Sequence, residues 1–65
     1  MFYTYILKSI KDQSLYVGWT DDLKSRFTKH NAGKVLSTKF RRPLKLIYYE
    51  ACLVKQAAIK REKYF

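Results

Sequence analysis

The sequence predicts a small α/β (α+β) domain, a three-stranded sheet of antiparallel type flanked by helices in the order β-β-α-β-α. Three observations predict it. Two runs rich in aromatic and branched residues, Phe2–Ser9 and Leu15–Trp19, are separated only by a short polar stretch, the pattern of an antiparallel hairpin. A third such run, Leu44–Tyr49, stands alone later in the chain. Before and after it lie two segments with apolar residues at helical spacing, one starting at Thr20-Asp21-Asp22 and running to about Asn31, the other from Leu53 to Phe65. With 65 residues the chain forms one domain. A domain of that size buries only about 60% of its unfolded-chain surface, so its stability margin is thin.

Each element has a local reason. In the first strand Tyr3, Tyr5 and Leu7 share one face, and Phe2, Thr4 and Ile6 share the other. Lys11-Asp12-Gln13-Ser14 is polar and turn-like. If the loop between paired residues has an even length, partner numbers sum to an odd value and Tyr5 and Tyr16 fall on one face. A slip of one residue would part them. Thr20 or Asp21 can cap the first free amides of the next helix, whose acidic start suits the positive end of the helix dipole. That helix should end near Asn31, where Asn31-Ala32-Gly33 supplies a stop. Leu23 and Phe27 form its inward stripe. Arg26 and His30, also four apart, lie beside that stripe rather than opposite it. A purely structural helix would place charge on its far side.

Lys34–Pro43 reads as a basic loop containing Lys34, Lys39, Arg41 and Arg42. The third strand starts at Leu44 and extends as far as Tyr49 or Ala51. The last helix, Leu53–Phe65, carries Val54, Ala58, Arg61 and Phe65 near one stripe, with Glu62 flanking it.

Composition narrows the function classes. Fourteen Lys and Arg against five Asp and Glu give a net charge of +9, which favours a polyanionic partner through counterion release. The basic residues are spread over all segments rather than gathered on one amphipathic helix, which argues against a membrane-surface role. No run is long enough to span a bilayer. The single Cys52 excludes an internal disulfide and a multi-cysteine metal knot. It reads as a small buried apolar residue and fits a reducing, cytoplasmic setting.

Specific motifs go further. Tyr3-Thr4-Tyr5 and Tyr16-Val17-Gly18 occupy the first two strands about ten residues apart. Leu23-x-x-Arg26-x-x-x-His30-Asn31-x-Gly33 follows, then Thr38, Arg42-Pro43, the strand Leu46-Ile47-Tyr48-Tyr49-Glu50, and Ala58-x-x-Arg61-Glu62. In this order and spacing the chain resembles the GIY-YIG nuclease family over nearly its whole length. It is most similar to small stand-alone bacterial members related to the N-terminal nuclease domain of the ABC excinuclease, a DNA repair enzyme. Tyr3 stands where the family's first tripeptide has Gly. Related domains continue past the glutamate helix into a segment with a further Asn; this chain is expected to lack it.

The resemblance implies the GIY-YIG fold and hydrolysis of nucleic-acid phosphodiesters, DNA foremost, with one divalent cation, Mg²⁺ or Mn²⁺. It implies that Glu62 is the metal ligand and Tyr16 the general base or water-positioning group, with Tyr5 beside it. A free phenol has a pKa near 10, so ionisation near neutrality needs positive charge close by, which a metal and Arg26 could supply. Arg26 is implied as the phosphate clamp, since a guanidinium forks onto phosphate oxygens. His30 occupies the family's phosphate-contacting or proton-relay position. These groups are expected to meet in one cleft. Gly18 permits close backbone approach to nucleic acid or a bend at the strand end. Lys34, Lys39, Arg41 and Arg42 are expected to track the phosphate backbone. Each of these residues also has an ordinary reading, as a solvated charge or a sheet residue with a wet hydroxyl. Two functions outside catalysis stay open as well: a basic nucleic-acid-binding module of the same fold with weak or no cleavage, and an interaction domain with an incidental basic surface.

Overall fold

The computed structural model describes all of residues 1–65. Strand β1 is Phe2–Ser9, β2 Leu15–Thr20 and β3 Leu44–Cys52; helix α1 is Leu23–Asn31 and α2 Lys55–Tyr64, and a 3-10 turn covers Lys39–Arg41. The sheet has the order β2-β1-β3, with both pairs antiparallel. This is the predicted class and element order.

The hairpin register follows the expected rule. Tyr5 faces Gly18 and Leu7 faces Tyr16, so Tyr5 and Tyr16 share a face. The two faces of the sheet then take one helix each. Under α1 lie Tyr5, Leu7 and Leu44, the buried core, packed by Tyr16, Leu23, Phe27 and Leu46. Under α2 lies the alternate set of β1: the Thr4 hydroxyl donates to the Ala58 carbonyl at 2.8 Å, and both residues are fully buried.

Strand β3 keeps its apolar side chains on the α1 face by means of a bulge. Ile6 pairs with Tyr48 but Leu7 pairs with Leu46, so Ile47 has no partner. The extra residue resets the alternation. Leu44 and Leu46 thereby face α1 with Tyr49, whereas Tyr48 and Glu50 face α2. Asn31, at the end of α1, ties down the start of β3. Its amide donates to the Leu44 carbonyl at 3.0 Å and its oxygen accepts from the Leu44 N–H at 2.8 Å.

Several boundaries differ from expectation. The α1 cap is Asp22, whose carboxylate accepts from the Ser25 N–H at 3.1 Å, and neither Thr20 nor Asp21. Thr20 is still in β2, opposite Tyr3, and its hydroxyl accepts from the Asp22 N–H instead. The stop at Gly33 is as expected. Gly33 has φ +76°, its N–H donates to the His30 carbonyl and the Lys34 N–H donates to that of Lys29, the paired bonds of a Schellman motif. Helix α2 begins two residues later than predicted, because Val54 is extended and only precedes the first turn. Of its predicted stripe, Ala58 is buried, but Val54 and Phe65 are about half exposed, at 55% and 48%. Arg61 leaves the apolar stripe to pair with Glu50 at 2.7 Å, and Tyr48 donates to the same carboxylate at 2.7 Å. Cys52 is half-buried rather than fully buried, with Sγ 3.5 Å from the Phe2 carbonyl. No helix is long and apolar enough to cross a membrane.

Candidate active site

Four of the five residues expected at a catalytic centre gather on the α1 face. Tyr5 projects from the middle strand, Tyr16 from β2, and Arg26 and His30 from successive turns of α1. The Tyr5 hydroxyl lies 2.9 Å from Nε2 of His30. The Tyr16 and His30 rings are 5.0 Å apart between centroids, and those of Tyr5 and Tyr16 are 6.3 Å apart. The hairpin register and the i, i+4 spacing on α1 bring these groups together, and both were legible in the sequence.

Gly18 is what lets the phenol of Tyr5 lie where it does. A Cβ at Gly18 would stand 2.6 Å from the Tyr5 hydroxyl oxygen and 2.7 Å from its Cζ. The residue is buried, so the close approach it permits is by a side chain of its own chain. Gly18 shapes the site from beneath.

The far nitrogen of His30 also has a partner. Nδ1 lies 2.7 Å from the Thr38 hydroxyl, which in turn faces the Val35 carbonyl at 3.5 Å. A polarisation that satisfies the chain has Tyr5 donating to Nε2, Nδ1–H donating to Thr38, and Thr38 donating to Val35; the other tautomer reverses the two bonds at the ring. Tyr5, His30 and Thr38 are all fully buried, and no buried side-chain polar atom in the molecule lacks a partner. With both nitrogens engaged, His30 has none free for a phosphate. Of its two expected roles, phosphate contact is closed in this arrangement, and a relay or positioning role is left. Thr38 stands in the motif series, yet its partnership with His30 was not anticipated, because it depends on how the Lys34–Pro43 segment folds back.

Burial sets the protonation states. It pushes the Tyr5 phenol above its usual value, although polar contact with Arg26 works in the opposite direction. Burial, aided by the positive charge of Arg26, lowers His30 to about 4. Both groups are therefore neutral at pH 7, and the proton stays on Tyr5. Contact with the Tyr5 phenol raises Arg26 above its already high value, so it is a permanent cation. The molecule's one ion pair joins Arg61 to Glu50, which leaves Arg26 without a carboxylate and open to an anion.

Glu62 comes from the other side of the sheet. It is half-buried on α2, the helix that packs on the Thr4 face. Lys55 and Glu62 are seven residues apart and so share one stripe of α2. The Lys55 ammonium lies 5.1 Å over the Trp19 ring of β2, so this stripe is turned toward the β2 edge. Burial is the main cause that raises the Tyr5 phenol, and the charge of Glu62 is the smallest contribution to it. Glu62 is in no ion pair. No group of three or more His, Cys, Asp or Glu side chains is assembled to hold a metal. Glu62 and Asp21 are both carboxylates outside any ion pair, and a single carboxylate can suffice for Mg²⁺, an ion that keeps several of its waters.

The basic residues divide. Lys34 and Lys39 are exposed and Arg41 half-exposed. Arg42 is exposed too, but its Nε donates to the Lys39 carbonyl at 2.9 Å. Its guanidinium lies across Gly33, where a Cβ would meet Cζ at 2.8 Å. Arg42 thus stabilises the loop as well as adding charge. The largest cleft, about 520 Å³, lies between α1 and β3 and contains none of the five expected catalytic residues. A smaller one of about 240 Å³ at the end of β2 is lined in part by Arg26.

Comparison with known proteins agrees with this architecture. The family described as the GIY-YIG catalytic domain matches residues 1–65. The UPF0213 protein SpyM3_1077 of Streptococcus pyogenes serotype M3 is 45% identical over 64 residues, covering 97% of this chain and 68% of that protein. The UPF0213 protein SpyM50708 of Streptococcus pyogenes serotype M5 aligns with the same identity and coverage. The solution NMR structure of the UPF0213 protein BH0048 from Bacillus halodurans is similar at a TM-score of 0.57 and 38% identity, covering 98% of this chain and 69% of that one.

Proposed function

The chain belongs to the GIY-YIG family, a nuclease family, and from that premise we propose that it is an endonuclease that hydrolyses DNA phosphodiester bonds with one divalent metal ion. The observation that carries the reading is the cluster on the α1 face: an unpaired guanidinium beside two phenols, one of them held by a neutral histidine.

In this reading Arg26 clamps the scissile phosphate. Its charge is permanent, and its planar fork suits the oxygens that gain negative charge during attack. Tyr16, half-buried rather than enclosed, orients the attacking water; to act as the base it first releases its own hydroxyl proton to solvent, and the phenolate then takes the proton of the water. Tyr5 keeps its own proton at rest, since its pKa is raised and that of its acceptor His30 is about 4. Its task is to hold the hydroxyl oxygen in place beside the phosphate. Phosphate bound at Arg26 offsets the charge that lowers His30, which makes the imidazole a better acceptor once substrate is present. Glu62 would hold Mg²⁺ or Mn²⁺, whose chemistry is to polarise a phosphoryl oxygen and acidify a bound water. Lys34, Lys39 and Arg41 supply exposed charge along the flanking backbone.

A supercoiled-plasmid nicking assay tests this. The wild type should nick only with Mg²⁺ or Mn²⁺. Glu62→Gln and Tyr16→Phe should each lose roughly a hundredfold or more of the rate, in the range seen when one group that stabilises or activates the reaction is removed, while their circular dichroism and urea midpoints stay at the wild-type value. Equal nicking by wild type and Glu62→Gln would overturn the metal assignment. Salt-sensitive DNA binding without nicking in any form would make the chain a binding module instead.

A further inference from the structure

The cleft of about 240 Å³ at the end of β2 is lined by Phe2, Trp19, Thr20, Asp21, Arg26 and Lys55. It lies where the two faces of the sheet meet, because Arg26 enters it from α1 and Lys55 from the start of α2. Its lining is chemically mixed: an indole and a phenyl ring, two cations from opposite sides, and one carboxylate. An apolar ligand would strand the charges. A free phosphate would leave the rings unused and meet the carboxylate of Asp21. A nucleotide matches the whole set, because it carries a π-face, a phosphate and base-edge donors that Asp21 can accept. At about 240 Å³ it is smaller than the roughly 300–1,000 Å³ of clefts that enclose drug-sized ligands, so it can seat a base with the sugar and phosphate at its open rim, not enclose a whole nucleotide.

We propose that this cleft binds the nucleotide next to the scissile phosphate, with its base stacked on Trp19 and its phosphate held by Lys55. The inference rests on the nuclease reading and extends it, since Arg26 is shared between the two positions. In the free protein the Lys55 ammonium occupies the Trp19 face at 5.1 Å. An arriving base takes that face, and the ammonium swings onto the adjoining phosphate. A cation–π contact is given up, and base stacking and a phosphate ion pair are gained. Lys55 and Glu62 share a stripe of α2, so a strand laid along the β2 edge passes both.

Trp19 is the only tryptophan, which makes its fluorescence a direct probe. The full chain is titrated with a short single-stranded deoxyoligonucleotide in EDTA, so that nothing is cut, and binding is followed in parallel by anisotropy of a label on the oligonucleotide. Trp19 emission should be quenched with the same midpoint as the anisotropy change. Lys55→Met keeps the aliphatic stem at an exposed position. It should flatten the slope of log affinity against log salt by about 0.7, the loss of one phosphate contact on a single strand, and weaken binding several-fold at low salt. Trp19→Leu should weaken it roughly tenfold. Binding with unchanged Trp19 emission, or an unchanged salt slope in Lys55→Met, would overturn this inference and leave the nuclease reading intact. No binding at any salt would overturn this inference as well, and the nuclease reading falls with it only if the same preparation also fails to nick plasmid with Mg²⁺ or Mn²⁺.

Discussion

The two faces of the sheet are built on different terms. Under α1, polar groups are buried deeply and every one is satisfied: Tyr5, His30, Thr38 and Ser9 are fully enclosed and linked to partners. Under α2 the packing is close but buries few polar groups. Ala58 is the one buried residue of that helix, one hydroxyl–carbonyl bond joins it to β1, and the rest of the seal is the partly exposed Arg61–Glu50 pair with Tyr48 and Phe65 around it. The contrast teaches where precision is required. The α1 face holds a phenol, an imidazole and a guanidinium in fixed relation, so its polar groups leave water and must each have a partner.

Substitutions should rank accordingly. The largest effect is expected for Gly18→Val, which drives a branched side chain into the space of the Tyr5 phenol. Overpacking should cost about 3 kcal/mol, seen as a fall in the urea midpoint together with loss of the Tyr5–His30 hydrogen bond in NMR spectra. Acidification comes next. Folded His30 stays neutral down to about pH 4, whereas in the unfolded chain it takes up a proton from about pH 6.5. Between those limits the unfolded state binds more protons, so stability falls as pH is lowered through the window, by on the order of 2 kcal/mol. Urea titrations at pH 7 and pH 4.5 measure the loss, and His30→Asn should remove most of the pH dependence in that range. The depressed carboxyl of Asp12, at about 2 through its bonds to Ser14, acts only at lower pH. Its contribution is lost as pH falls from its ordinary value toward 2, so the two windows are separable.

Thr38→Val should cost about 1–2 kcal/mol, because a buried imidazole nitrogen loses its partner, and Thr38→Ser should restore most of it. On the opposite face Thr4→Val removes one hydroxyl–carbonyl bond and should cost about 1 kcal/mol. Arg61→Met should move the midpoint least of all, since its ion pair with Glu50 is open to water. A result in which Arg61→Met exceeds Thr38→Val would invert the comparison.

Much of the α1 face could be read from the sequence, for definite reasons. A strand repeats every two residues, so the hairpin register placed Tyr5 and Tyr16 together. A helix places i and i+4 on one side, so Arg26 and His30 joined them. Gly33 marked the helix end because the chain needs a positive φ there. Other features had no local signal. The Ile47 bulge is hidden in a continuous run of apolar and aromatic residues, where neither alternation nor a glycine betrays the extra residue. Thr38 meets His30 only through the path of a basic loop that reads as structureless, although Lys39–Arg41 forms a 3-10 turn. Asp22, rather than Thr20 or Asp21, caps α1 because pairing with β1 holds Thr20 in the strand, and pairing is not a local property. The side of the sheet taken by α2 is likewise set by packing. The expected single cleft is not formed by all five groups: Tyr5, Tyr16, Arg26 and His30 gather on the α1 face, and Glu62 stands on α2, the helix of the other face.

The central claim is that a phenol from one face and a carboxylate from the other act in a single reaction. A double-mutant cycle on single-turnover plasmid nicking with Mg²⁺ tests it, using Tyr16→Phe, Glu62→Gln and the pair combined. If the two groups serve one step, their effects are strongly non-additive and the double variant is little slower than the worse single one. Losses that multiply, or a Glu62→Gln chain that nicks at the wild-type rate, would contradict it.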